Sequence, residues 1–149
     1  MNIFDLSGVV AVINTPFTTD NEIDHDSIKR YVDNAIESEV SGFLVPAMAA
    51  EVNKLSREER TSIVKTVVAC SDNKVPVIGG ASAISQNERI SYINELEAIG
   101  CNGVLVSIPF ENEQKYKNCI QELSREVATY LVIQDWDFHG FGIPLNVIV

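Results

Sequence analysis

One repeating pattern constrains this chain more than any other. Short continuous apolar runs alternate with longer amphipathic stretches, five times over, with a period of roughly 30 residues. The apolar runs fall at 9–13, 42–45, 74–80, 103–108 and 130–134. They do not alternate apolar with polar residues. A strand that is apolar on every residue is covered on both faces, which is the mark of a parallel sheet flanked by helices. Two strand entries even share a grammar: Ser41-Gly42-Phe43-Leu44-Val45 and Asn102-Gly103-Val104-Leu105-Val106.

The intervening stretches carry helix signals. In 24–38, Ile28, Tyr31, Val32, Ala35 and Ile36 recur at helical spacing, with Asp24 placed as N-cap. Ser56 followed by Glu59 forms a capping box, opening a helix whose one face carries Ile63, Val64, Val67 and Val68. Ser85 with Glu88 opens a third helix, over 85–99, and Gly100 closes it. A fourth is expected over 112–128. Nothing resembling a linker or a break in composition divides 1–149, so one domain is expected.

Two parallel architectures accept five such units. One is an open doubly wound sheet; the other is part of a (β/α)8 barrel, which needs about 250 residues when complete. A nucleotide-binding doubly wound fold calls for a glycine-rich loop after its first strand. The loop here is Asn14-Thr15-Pro16-Phe17, without glycine, which places the barrel portion slightly ahead.

Charge narrows the function. Eleven Lys and Arg against 21 Asp and Glu leave a net charge of −10. Phosphate backbones and anionic lipid repel such a surface, so neither nucleic acid nor a membrane is an expected partner. The apolar runs are too short to span a bilayer, and the first residues lack the pattern of a signal peptide. Cys70, Cys101 and Cys119 are odd in number and widely spaced, which suits a reducing cytoplasm and fits neither a disulfide framework nor zinc.

Five segments, in order, resemble one known family. They are Val12-Ile13-Asn14-Thr15-Pro16-Phe17; Ile23-Asp24; Glu51 with Lys54-Leu55-Ser56-Arg57-Glu58-Glu59-Arg60; Pro76-Val77-Ile78-Gly79-Gly80; and Gly103-Val104-Leu105-Val106 with Pro109-Phe110. Together they are similar to the dihydrodipicolinate synthase and N-acetylneuraminate lyase family, from about Gly8 onward. The resemblance implies the first five units of a (β/α)8 barrel of class I aldolases and lyases. It implies a 2-keto acid such as pyruvate as substrate, held as a Schiff base on a lysine at the end of the sixth strand, and no cofactor. The sequence ends at Val149, as 144–149 begins what the family pattern makes a fifth helix. The expectation is therefore that this chain by itself forms no imine. Of its own lysines, Lys54 lies nearest the catalytic side, where a solvent-facing role before the helix cap is the simpler expectation.

The site residues implied by the resemblance depart from the family pattern. Where the catalysts read Gly-Thr-Thr-Gly-Glu-Ser after strand two, this chain reads Ala47-Met48-Ala49-Ala50-Glu51-Val52. Met48, Ala49 and Glu51 are thus the substrate-binding candidates, with Glu51 expected to hold its loop by a hydrogen bond. Glu111 stands where a relay tyrosine is implied. At the proton-shuttling tyrosine of strand five stands Gln134, followed by Asp135. A glutamine amide cannot give up or take a proton near neutral pH. Gln134 is the candidate at the catalytic position, Asp135 a substrate-binding candidate, and a solvated strand end is the alternative for both. The family arginine for a distal carboxylate falls near His139, which could pair with Asp137. Asp135, Asp137, Glu51 and Glu111 would share a rim; a solvated acidic rim explains them as well as a cation does, and no metal motif is present. Trp136 and Phe138 are expected to pack on the barrel top, and His25 to lie at the surface.

Two readings follow. The first is the N-terminal part of a Schiff-base lyase from a divergent branch. The second is a non-catalytic, barrel-derived module that binds a small ligand or a partner chain. An incomplete barrel has two open sheet edges. Association is therefore expected, as a homo-oligomer of half-barrels or with a partner supplying the other half, and a molten chain otherwise.

Overall fold

The computed structural model describes residues 6–135 and 142–148. Five strands, β1 (Val10–Val12), β2 (Gly42–Val45), β3 (Val77–Gly80), β4 (Gly103–Val106) and β5 (Tyr130–Ile133), form one sheet in the order β1-β2-β3-β4-β5. Every neighbouring pair is parallel. Helices α1 (His25–Glu37), α2 (Arg57–Ser71), α3 (Gln86–Ile99) and α4 (Glu113–Glu126) connect the strands, and a short α5 (Leu145–Ile148) follows β5.

The register separates the two faces of the sheet. Ala11, Phe43 and Val77 pair across one row, and Val45, Gly79, Val104 and Leu131 across the next. These residues face the helices. Phe43, Val45, Val77, Val104 and Val106 join Ile28, Val32, Ile63, Val67, Ile93, Leu96 and Leu123 in one core. Phe43 is fully buried there, which contributes about 1.5–3 kcal/mol. Gly79 lets α3 approach: a Cβ at this position would lie 3.0 Å from both Leu96 Cδ1 and Cys101 Sγ. The opposite rows hold Val12, Leu44 and Ile78, then Gly80, Leu105 and Val132. None of these six belongs to the helix-packed core.

The helix starts follow the local chemistry. Asp24 accepts the Ser27 N–H at 2.9 Å, and the Ser56–Glu59 and Ser85–Glu88 capping boxes are both closed. Losing a serine cap such as Ser56 costs about 1 kcal/mol. Gly100 ends α3 at φ +107°. Asn112 caps α4.

Several elements are shorter than the apolar runs predict. β3 begins at Val77 rather than at residue 74, because Pro76 has no N–H for the ladder and offers only its carbonyl, to Phe43 N at 2.9 Å. α4 stops at Glu126, since Val127 is already extended. His25 is half-buried rather than a surface residue. Its Nδ1 lies 2.8 Å from Thr66 Oγ1, and its Nε2 lies 2.9 Å from Ser62 Oγ. The Thr66 hydroxyl donates to Ser62 O, so Nδ1–H donates to Thr66 and the Ser62 hydroxyl donates to Nε2. The ring thereby ties the start of α1 to α2.

α2 and α3 are locked by a second polar cluster. Arg57 donates to Glu95 Oε2 through Nε (2.9 Å) and Nη2 (2.8 Å), and the Thr61 hydroxyl donates to Oε1 at 2.8 Å. Burial pushes the Glu95 carboxyl upward, but the bonds from Thr61 and Arg57 outweigh it and hold the group below its ordinary range.

Candidate functional site

Parallel strands bring all their C-terminal ends to one rim, where barrels of this kind carry their chemistry. After β1, the Thr15 hydroxyl donates to Ala50 O at 3.1 Å and so ties the first loop to the second. After β2, the chain makes two short 3₁₀ turns, Met48–Ala50 and Val52–Lys54, joined by Glu51 in the left-handed conformation at φ +53°. A cleft of about 230 Å3 lies between these loops, lined by Asn14, Thr15 and Phe17 on one side and by Ala49 to Glu51, Lys54 and Leu55 on the other. Met48 and Ala49 are exposed on this rim.

The hydrogen bond expected of the Glu51 side chain runs to Lys54, three residues on in the same turn. Its carboxylate accepts from the Lys54 ammonium at 2.8 Å, and backbone bonds within the turns, with Thr15, add to it in holding the loop. Lys54 is solvent-facing, its side chain 74% exposed. The remaining lysines, Lys29, Lys65, Lys74, Lys115 and Lys117, are exposed as well.

The next loops add groups the sequence reading passed over. Ser82, after β3, accepts the Ser107 N–H, after β4, at 2.9 Å. Ser107 follows β4 directly and Ser82 lies two residues past β3, and that position is their only sequence signal. Glu111, at the implied tyrosine position, is exposed and paired with Lys115. Phe110 turns inward and stacks on Tyr116, with ring centroids 5.9 Å apart. Burial pushes the Tyr116 hydroxyl up, and the nearby Asp135 carboxylate adds to the shift.

Gln134 is half-buried at the end of β5, its N–H bonded to Val106 O at 2.9 Å. Asp135 is exposed and accepts the Ile143 N–H at 2.7 Å, which ties the end of β5 to the residues just before α5. Gly142, at φ +79°, leaves room for that carboxylate, since a Cβ there would lie 2.8 Å from Asp135 Oδ1. Trp136, Asp137, Phe138 and His139 lie outside the described residues.

The rim thus collects Thr15, the 47–54 turn, Ser82, Ser107, Gln134 and Asp135. Asp135 and Glu51 are brought to the same end of the sheet, each already engaged by a local partner. Among the described residues no group of three His, Cys, Asp or Glu could hold a metal ion. The thiol of Cys101 is buried and pushed up to about 12, and burial likewise raises that of Cys70, so neither is an activated nucleophile. The rim can hydrogen-bond and enclose a small ligand. Among the described residues it presents no buried amine, and its carboxylates, Glu51, Glu111 and Asp135, are each engaged by a local partner.

Comparison with known proteins agrees with this geometry. The chain matches the dihydrodipicolinate synthetase family over residues 5–129. The 4-hydroxy-tetrahydrodipicolinate synthase of Salinibacter ruber is 32% identical over 106 residues, covering 71% of this chain and 35% of the relative. That of Thermotoga maritima is 32% identical over 132 residues, covering 84% of this chain and 45% of the relative. Among solved structures, the E. coli K12 prophage protein YagE of the dihydrodipicolinic acid synthase family, in complex with pyruvate, superposes with a TM-score of 0.82. It is 21% identical, and the match covers 89% of this chain and 45% of that one, which bears on the fold alone. The chain therefore spans less than half the length of these relatives. With five parallel β/α units in sequential order, the curvature of a solved barrel and a family match over most of its length, this chain belongs to the dihydrodipicolinate synthetase family, whose first five barrel units it forms.

Proposed function

We propose that residues 1–149 are the N-terminal part of a lyase that acts on a 2-keto acid such as pyruvate through a lysine imine, the lysine lying outside this chain. The observation that carries the reading is the rim itself. The 47–54 turn and Gln134 stand at the C-terminal ends of β2 and β5 in a chain of this family. The pyruvate held by the E. coli relative supports the substrate class.

In this reading Met48, Ala49 and Glu51 form the wall that receives the keto-acid carboxylate, through the backbone N–H groups of Met48 and Ala49 rather than hydroxyls. Gln134 donates an amide N–H to the substrate oxygen and orients it. The amide moves no proton, so proton transfer falls to other groups. Asp135 shapes the opening by fixing residue 143. No cofactor is needed for imine chemistry. Free cysteines agree with a cytoplasmic setting, and the family architecture with a homo-oligomeric one.

The test is reduction with borohydride in the presence of pyruvate, read by intact mass. Chain 1–149 alone is expected to gain nothing. A stoichiometric adduct on it, mapped to Lys54 or any other lysine, would overturn the assignment of the imine to a residue beyond the chain.

A further inference from the structure

One buried cation in this fold has no anion beside it. Arg89, the fourth residue of α3, is only 5% exposed. Its Nη1 donates to the Gln86 side-chain oxygen at 3.0 Å and its Nη2 to Ile84 O at 3.3 Å, both neutral acceptors. Its Nε is buried with no acceptor. Among the described residues no carboxylate forms an ion pair with it. Glu88, its neighbour in sequence, is exposed and closes the capping box with Ser85. A guanidinium does not shed its charge inside a protein, so burial of this kind calls for an anion.

The side chain placed to supply one is Cys119, on α4. Gln86 joins the two residues: its oxygen accepts from Arg89, and its amide nitrogen donates to Cys119 O at 3.1 Å. Burial makes the Arg89 guanidinium less basic, and the charge of a Cys119 thiolate is the main influence opposing that. Cys119 is half-buried, so a small solute can reach it. The other two thiols are set differently. Cys101 is 4% exposed, with the Glu97 carboxylate as its charged neighbour. Cys70 is half-buried beside Asp33, and the Lys29 ammonium near it is already paired with Asp26 at 3.0 Å. Of the three, Cys119 alone faces a buried cation that no carboxylate neutralises.

We propose that Cys119 is an oxidation site for peroxides, and that its oxidised sulfur becomes the anion Arg89 lacks. The thiolate attacks one oxygen of hydrogen peroxide. An S–O bond forms, the O–O bond breaks, and the departing hydroxide takes up a proton as water. Sulfur gives up two electrons, the peroxide accepts them, and the product is a sulfenic acid. A second equivalent reacts in the same way and leaves a sulfinate, which carries a negative charge and two accepting oxygens. The Arg89 Nε–H then has an acceptor, in a charge-assisted bond stronger than either of the neutral ones it makes in the reduced chain. The contact between α3 and α4, carried by the Gln86 amide before oxidation, gains an ion pair. The site stands in the helix layer, apart from the rim and its imine chemistry.

The test treats the full 149-residue chain with dilute hydrogen peroxide and reads each cysteine by peptide mass mapping. Two added oxygen atoms are expected at Cys119 about ten-fold faster than at Cys70, which is also half-buried. The oxidised chain is expected to unfold in urea at a midpoint about 0.5 M above the reduced one, a rise that Cys119→Ser should not show. Cys119→Asp places a carboxylate where the sulfinate would stand, and Cys119→Asn is its neutral counterpart. The Asp variant should unfold at the higher midpoint of the two, and Arg89→Gln should erase the difference. Where Arg89→Gln fails to fold, the comparison of Asp with Asn decides by itself. Oxidation no faster at Cys119 than at Cys70, a midpoint that falls on oxidation, or an Asp variant no more stable than the Asn one would each overturn the proposal.

Discussion

Replacing Gly80 by alanine offers a sharp test of how β3 meets the rim. A Cβ at residue 80 would lie 1.9 Å from Pro46 O, a backbone atom. Reaching even 3.0 Å requires a movement of about 1.1 Å, and Pro46 directly follows Val45, which is in register with Gly79. The adjustment therefore pulls on the β2–β3 ladder. Overpacking of this kind costs about 1–3 kcal/mol, and a weakened ladder bond adds about 1 kcal/mol. Alanine recovers about 0.5–1 kcal/mol of chain entropy. The net expectation for Gly80→Ala is a loss of about 2–3 kcal/mol. Gly79→Ala is the control, because its Cβ meets the ends of the Leu96 and Cys101 side chains at 3.0 Å, which can turn aside. We expect about 1 kcal/mol there. Urea unfolding followed by circular dichroism measures both, as a fall in midpoint with an unchanged slope. If Gly80→Ala comes within 0.5 kcal/mol of the parent, or costs less than Gly79→Ala, the close approach is not what positions the 47–54 turn.

Two further outcomes can be checked on the same chain. Glu97 Oε1 accepts Ala128 N (2.9 Å), Thr129 N (2.8 Å) and Thr129 Oγ1 (2.8 Å), so it sets the entry into β5. Glu97→Ala should cost about 2–3 kcal/mol in urea unfolding and Glu97→Gln roughly half, since the amide keeps an accepting oxygen; equal losses would contradict this role. The depressed carboxyl of Glu95 contributes stability above its unfolded range near 4.5, and that contribution is lost as pH falls through the lower folded value. Asp24 and Glu88 are also depressed, each by hydrogen bonds at its helix start, and titrate in the same direction. The difference in stability between parent and Glu95→Gln should therefore shrink from pH 6 toward pH 3, and a difference that grows on acidification would refute the sign.

What the sequence reveals here is what lies close along the chain. The Ser56–Glu59 and Ser85–Glu88 boxes need residues three apart, and both were legible. The continuous apolar runs gave parallel strands covered on both faces. For the same reason they could not say which alternate residues face the helices, because Leu44 and Phe43 are equally apolar. His25 was misread because its partners, Ser62 and Thr66, stand 37 and 41 residues away on another helix. The Ser82–Ser107 contact spans 25 residues and leaves no trace in either local pattern. The engagement of Asp135 by the Ile143 N–H, eight residues on, follows neither helical nor strand spacing.

The order of the strands in the sheet is also their order in the chain. Each new βα unit finds its pairing edge on the unit made just before it, so no pairing has to wait for a distant stretch of polypeptide. Such sequential wiring suits assembly during synthesis, from the N-terminus onward. The helix-facing layer can then consolidate unit by unit as the chain leaves the ribosome. The side opposite the helices, whose rows run across all five strands, stays partly open at Val12, Leu44 and Val132 throughout that time. For a nascent chain this is the period of greatest exposure to chaperones and to aggregation, and the net charge of −10 keeps neighbouring copies apart while it lasts.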